Sequence, residues 1–424
     1  MCVYWRHINT PQNPSSPPSV LKPRALTDFY PRWYATREFL LHHRDPYGAG
    51  VNRDLQIAYY GKELDPSRPE DRVDQQRFVY PAYFMFFVAP TAWTDFDTVR
   101  IVVWWVLLAC AVLNLLLWLR FLTLRLTPLA VVAMFVLVLT SIPVLQNLSL
   151  LQPFLLTACL LAATAVAVVS GHLFLGGALL ALATVKPQIC FFPLAWFALW
   201  LFSDWIRRRS LLCGFTITLA TLLFTSEWIL PGWLVRYPLL LRDYAQYTKT
   251  SSLLGTLLPS PLSWIVAVLA FAAAGDFCWR VRRQPADSVA FAIALSFVLA
   301  LTALIVPAVA QPFNHLLLLP ALLLAVRHRH SLRQGSMVTR AAAAIFGLSV
   351  FLPWVLAIVV FLKPLAPHSE WLLKVWSVPL AGSMALPFAA FGILLLLRKA
   401  VASPAIALAS ANHVFQSRGP NAKT

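Results

Sequence analysis

The chain has 424 residues, 59% of them hydrophobic and only 12% charged, with a formal net charge of +17. This composition excludes a soluble globular protein and leaves a polytopic membrane protein. The positive balance does not mark a nucleic-acid binder: no basic run is interleaved with exposed aromatics, and the cations cluster in short loops between apolar stretches.

Residues 1–26 are polar and Pro-rich, predict disorder, and contain no apolar run. Residues 27–98 form a polar head that holds 11 of the 17 acidic residues. Its first stretch, TDFYPRWYATREFLLHHRDPY (27–47), predicts a short helix over 29–41. On such a helix Phe29, Tyr30, Trp33, Tyr34, Leu40 and Leu41 share one arc, with Arg32, Thr36 and Glu38 on the other, as suits a helix lying among lipid headgroups. Pro31 fits the first helical position, which makes Tyr30 the cap and leaves the Asp28 carboxylate uncommitted. Residues 78–92, aromatic and broken by Pro81 and Pro90, predict an interfacial or half-inserted segment.

Eleven apolar runs follow: 99–119, 129–144, 150–169, 172–185, 189–202, 211–230, 262–275, 288–308, 315–326, 341–362 and 377–397. They predict about eleven crossings within a transmembrane domain over 99–397, with a cytoplasmic tail from 398 to 424. If the runs alternate, Arg120, Arg125, Arg207 to Arg209, Arg280, Arg282, Arg283, Arg327, Arg329, Arg333, Arg340, Arg398 and Lys399 all fall on one side. An excess of cations marks that side as cytoplasmic and puts the head, Asp28 included, outside. Exporting the head with no preceding apolar segment is mechanistically awkward, so a transmembrane helix is expected upstream of Met1 in the intact gene.

The spans contain almost no carboxylates, Glu227 near the end of one being the nearest case, which argues against an ion-coupled transporter. The six cysteines show no CxxC spacing and predict neither a disulfide framework nor a metal site. His42 and His43 are adjacent and point apart on a helix, so no metal or other cofactor is expected, although lone acids leave a divalent ion open. Polar groups collect instead at the outer face: Asp28, Arg236, Arg242, Asp243, Tyr244, Lys249, Asn314 and His315. A site there suits sugar transfer from a polyprenyl phosphate carrier, with a carboxylate to take the acceptor proton and cations to stabilise the departing phosphate. Asp28 is the candidate base.

Asp28, Phe29, Tyr34, Ala35, Leu40, Leu41, Pro46 and Tyr47 form a pattern that resembles the first external loop of glycosyltransferase family 87, within the GT-C superfamily. Tyr80-Pro81 resembles its Y-P-P element, with Ala82 in place of the second proline. Gln146-Asn147, at an expected external turn, resembles its G-Q-x-N, with Leu145 in place of glycine. Gly176-Gly177 through Lys186-Pro187 resembles its Gly-rich helix ending in K-P, and Gln311 to Leu316 is similar to its late S-P-x-S-W-x-H-H-x segment. The resemblance implies an all-α GT-C-type transferase that uses a polyprenyl-phosphate sugar donor, often mannose, in the bacterial inner membrane. It further implies Asp28 as catalytic base and His315 near the donor phosphate or acceptor.

The candidate substrate-binding residues are Tyr34, Tyr47, Gln146, Asn147, Lys186, Arg236, Arg242 and Asn314. The expected partners are the polyprenyl-phosphate-sugar donor, a glycolipid or glycan acceptor, and membrane lipids. The rival readings are a flippase or transporter of lipid-linked sugars, which would need a polar path through the spans, and a non-catalytic relative.

Overall fold

The computed structural model describes residues 26–362 and 382–402, apart from 66, 69–70, 72–73 and 249–250. Among the described residues every regular element is a helix, so the protein is an all-helical polytopic membrane protein as its composition requires. The head contains α1 (Tyr30–His42), α2 (Ala49–Tyr60) and a short helical run, α3 (Ala82–Thr91). Then follow α4 (Phe96–Phe121), α5 (Pro128–Leu139), α6 (Ile142–Leu150), α7 (Phe154–Val169), α8 (Leu173–Ala183), α9 (Pro187–Phe202) and α10 (Trp205–Ile229). The second half comprises α11 (Trp233–Thr248), α12 (Leu253–Leu257), α13 (Leu262–Val281), α14 (Val289–Ile305), α15 (Pro312–Arg327), α16 (Arg329–Gln334), α17 (Met337–Leu362) and α18 (Leu386–Ala402).

Each of the eleven apolar runs coincides with a helix or a bent pair of helices, but their lengths differ from the expectation. Four are long and apolar enough to cross a membrane on their own: α4, α10, α13 and α17. The run read as one span over 129–144 is instead α5 and α6, bent by 50° at Thr140-Ser141, with Pro143 in the first turn of α6. The other apolar helices have 10–17 residues, which at about 1.5 Å per residue falls short of a hydrocarbon core of about 30 Å. The break at Lys186-Pro187 falls between two of the expected runs, whereas Gln152-Pro153 lies inside the expected run 150–169, where apolar residues on both sides conceal it.

Two groups of helices make the membrane body. In one, α4 packs on α7, α7 on α8, and α8 on α10; in the other, α14 is the hub, buried along its whole length against α9, α13, α15 and α18. The closest approach in the first group explains the paired glycines. A Cβ on Gly177 would lie 2.0 Å from the Leu211 carbonyl oxygen and 2.6 Å from the Phe215 nitrogen, and one on Gly214 would lie 2.0 Å from the Phe174 carbonyl oxygen. Backbone cannot yield as a side chain can, so α8 and α10 meet only where both lack a side chain. Gly177→Ala is therefore expected to force these helices apart, at a cost of about 1–3 kcal/mol or more. The midpoint of thermal unfolding in detergent should fall, whereas Gly275→Ala, where nothing lies within 4 Å, should leave it unchanged.

The cationic loops gather at one end of the body. Arg208 donates to the Trp200, Arg282 and Gln284 carbonyls at 2.6, 3.0 and 3.3 Å, tying the ends of α9 and α13 to the start of α10. Arg327, ending α15, donates to the Leu122 carbonyl just past α4 at 2.6 Å. Helices α4, α9 and α15 all begin at the other end, beside the head. The head and the arginine-rich loops therefore lie at opposite ends, as the alternation of the runs requires.

The head helix differs from its expected form. The cap is Phe29 rather than Tyr30, and Thr36 and Glu38, assigned to the aqueous face, are buried together with Trp33 and Ala35. Glu38 is accommodated by Arg44 at 2.6 Å and His42 at 3.2 Å. Helix α1 is thus packed inside protein and not laid on lipid: Trp33 Nε1 donates to the Thr91 carbonyl at 3.1 Å, and Arg37 reaches the Ala92 carbonyl at 2.8 Å.

Candidate active site

Asp28 stands one residue before the cap of α1, and no side chain caps that helix. Its carboxylate accepts instead from the Gln152 amide, whose oxygen in turn accepts from Lys186 Nζ at 3.3 Å. One side chain thus joins the head to two turns of the membrane body. Gln152 sits between α6 and α7, and Lys186 between α8 and α9, each just before a proline that opens the next helix. Both are buried, 5% and 6% exposed, whereas Asp28 is half-buried. The Lys186 ammonium lies over the rings of Phe313 at 5.5 Å and Phe154 at 5.7 Å. Tyr83, on α3, donates to the Thr184 carbonyl at 2.9 Å and fixes the head against the turn that carries Lys186.

Arg32, one turn along α1 from Asp28, lies over the Tyr80 ring at 4.9 Å. Tyr59 donates to the Thr27 carbonyl at 2.5 Å, closing the other flank of Asp28. These surroundings set the electrostatics. Desolvation raises the Asp28 pKa and outweighs the lowering effect of Arg32, so the carboxylate titrates above its ordinary range. Burial and the nearby Arg32 push Lys186 down to about 7, against a raising effect of Asp28. The site thus holds a carboxylate of increased basicity and a lysine poised to gain a proton when an anion arrives.

The other expected site residues are distributed more widely. Asn147 lies not in an external turn but within α6, where its amide donates to the Pro143 and Phe313 carbonyls, both at 2.7 Å. Gln146 is half-buried on the same helix. A polar pair on a nine-residue helix whose span has already bent reads in sequence as the turn itself. The Asn314 amide donates to the Val309 carbonyl at 3.3 Å. His315 lines an apolar cavity of about 80 Å³ with Leu137, Phe346, Ser349, Trp354 and Ser383, and no hydrogen bond or ring contact joins it to Asp28, Gln152 or Lys186.

Tyr34 donates to Asp54 at 3.1 Å and Tyr47 to the Tyr80 carbonyl at 2.7 Å, so both hydroxyls are engaged within the head. Arg236 pairs with Asp45, linking α11 to the head, and Arg242 is exposed on α11. Lys249 lies outside the described residues.

Two residues of the cluster escape sequence reasoning. Arg32 was placed on the aqueous face of α1 by a periodicity that the packing overrides. Gln152 had a usable signal, since an amide inside an otherwise apolar run is costly unless it is paired.

Residues 78–307, just over half of the chain, match glycosyltransferase family 87. The chain belongs to that family. It is accordingly a multi-pass membrane glycosyltransferase. The match includes Gln152 and Lys186, while Asp28, Asn314 and His315 lie outside it. No curated protein and no solved structure matches the chain.

Proposed function

We propose that this family 87 enzyme transfers a sugar, mannose being the expected one, from a polyprenyl phosphate carrier to a hydroxyl of a glycolipid or glycan. The reaction takes place at the outer face of the bacterial inner membrane. The observation that carries this reading is the bridge from Asp28 through Gln152 to Lys186, which joins a half-buried carboxylate of the head to a buried ammonium where a helix of the membrane body begins. Asp28 accepts the proton of the acceptor hydroxyl as its oxygen attacks the anomeric carbon. The bond from that carbon to the phosphate oxygen breaks, its electron pair stays on the phosphate, and the configuration inverts. Lys186 and Arg32 offset the charge left on the polyprenyl phosphate, and the N-terminal end of α9 next to Lys186 adds partial positive charge.

The surroundings of Lys186 support a lipid-borne donor: its ammonium is buried among apolar helices of the membrane body and lies over the rings of Phe154 and Phe313. The purified enzyme in liposomes is expected to transfer label from polyprenyl phosphomannose to a lipid or glycan acceptor and not from GDP-mannose. Transfer from the nucleotide sugar, or transbilayer movement of the lipid-linked sugar without transfer, would overturn the proposal.

A further inference from the structure

We infer that Gln152 is a positioning residue that keeps the base and the phosphate-binding cation apart, so that neither neutralises the other before the substrates arrive. The inference rests on the role given above to Asp28. An Asp and a Lys this close would otherwise form a direct ion pair, with the carboxylate weakened as a base and the ammonium closed to an anion. Gln152 prevents this with the one side chain that complements both at once, its NH2 donating to Asp28 and its oxygen accepting from Lys186 at 3.3 Å.

The backbone around Gln152 is built to present it. The preceding residue, Leu151, is buried and adopts a left-handed conformation (φ 52°, ψ 48°) that branched side chains rarely take. Strain of this kind persists only where the surroundings hold it. Here the Gln152 backbone N–H donates to the Asn147 carbonyl at 2.9 Å, which ends α6, and Pro153 caps the start of the next helix. Asn147 is anchored in turn to the Phe313 carbonyl, and the Phe313 ring lies against Lys186. The polar pair on α6 therefore reaches the site indirectly, by fixing the corner from which Gln152 extends.

The charged and titratable groups facing Asp28 are Arg32 on α1, Asp74 from the head loop, Lys186, and the hydroxyls of Tyr59, Tyr80 and Tyr244. Gln152→Glu, of the same shape, replaces the donor by a negative charge. It should move both the acidic and the alkaline limbs of the pH–rate profile upward, by about one unit or more. Gln152→Leu, which loses the donor and the acceptor, should let Asp28 and Lys186 pair directly, which moves the acidic limb down, the alkaline limb up, and lowers kcat.

A residue that merely filled space would change yield or stability and leave the limbs in place. Unmoved limbs in correctly folded variants would therefore overturn the inference, as would failure of both variants to fold, which would assign Gln152 to the corner alone. Asp28→Asn separates this from the parent reading. If that variant is inactive while the Gln152 variants keep the native profile, only the positioning role fails; if it retains transfer, the role of Asp28 fails first.

Discussion

Asp28→Asn should reduce turnover by about 10²- to 10⁴-fold, the range a positioned general base contributes, with little change in donor KM. Asparagine keeps the shape and can still accept from the Gln152 amide, so the fold of the head has no reason to change. What it loses is the negative charge that takes the acceptor proton. In the native enzyme that charge is created at a higher pH than usual, because the half-buried carboxylate gives up solvent that Arg32 and Gln152 only partly replace. A carboxylate titrating above its usual range is ionised less readily and is a better base once ionised. The rate of the native enzyme should accordingly fall as pH drops through this raised value, well before an ordinary surface aspartate would protonate. Steady-state assays of native and Asp28→Asn protein over a pH series check both points; unimpaired turnover in the variant would remove Asp28 from the chemistry.

Lys186→Met should lower kcat/KM for the donor by about 30- to 1,000-fold, corresponding to about 2–4 kcal/mol for a charge-assisted contact to phosphate in a buried setting. Methionine retains the apolar stem against Phe154 and Phe313, so the loss isolates the charge. The sign of the pH dependence follows from a lysine whose pKa is pushed down to about 7. The cation is present below that value and disappears as pH rises through it, so kcat/KM of the free enzyme should fall on the alkaline side. Bound phosphate favours the protonated amine, which places the alkaline limb of kcat at higher pH than that of kcat/KM. Lys186→Arg keeps a charge that does not titrate in this range and should remove the alkaline limb while restoring part of the activity. An alkaline limb that survives in the arginine variant would assign it to another group.

The class of the fold and the placement of most helices were legible in the sequence, because apolar runs and arginine-rich loops obey the bilayer directly. The uncommitted carboxylate before α1 was legible too, since Pro31 left Asp28 no cap to make. The interior of the head was not. Thr36 and Glu38 look solvated by periodicity, yet they are buried: Thr36 donates to the Arg32 carbonyl, and Glu38 pairs with His42 in the last turn of α1 and with Arg44 just beyond it. The bridge through Gln152 joins positions 28, 152 and 186, and no local pattern encodes a contact over such separations. Lys186 was visible as a costly charge beside a proline, but its partners were not.

The short helices around the site have a consequence for the lipid itself. Helices α7, α8, α9 and α15 on the site side are 11 to 16 residues long, shorter than the hydrocarbon core of an undisturbed bilayer, a mismatch that thinning of the leaflet along that flank would relieve. On the proposed function, the phosphate of a long-chain isoprenoid carrier would reach the depth of the lysine while its tail stayed in hydrocarbon, so the carrier need not leave the leaflet to react.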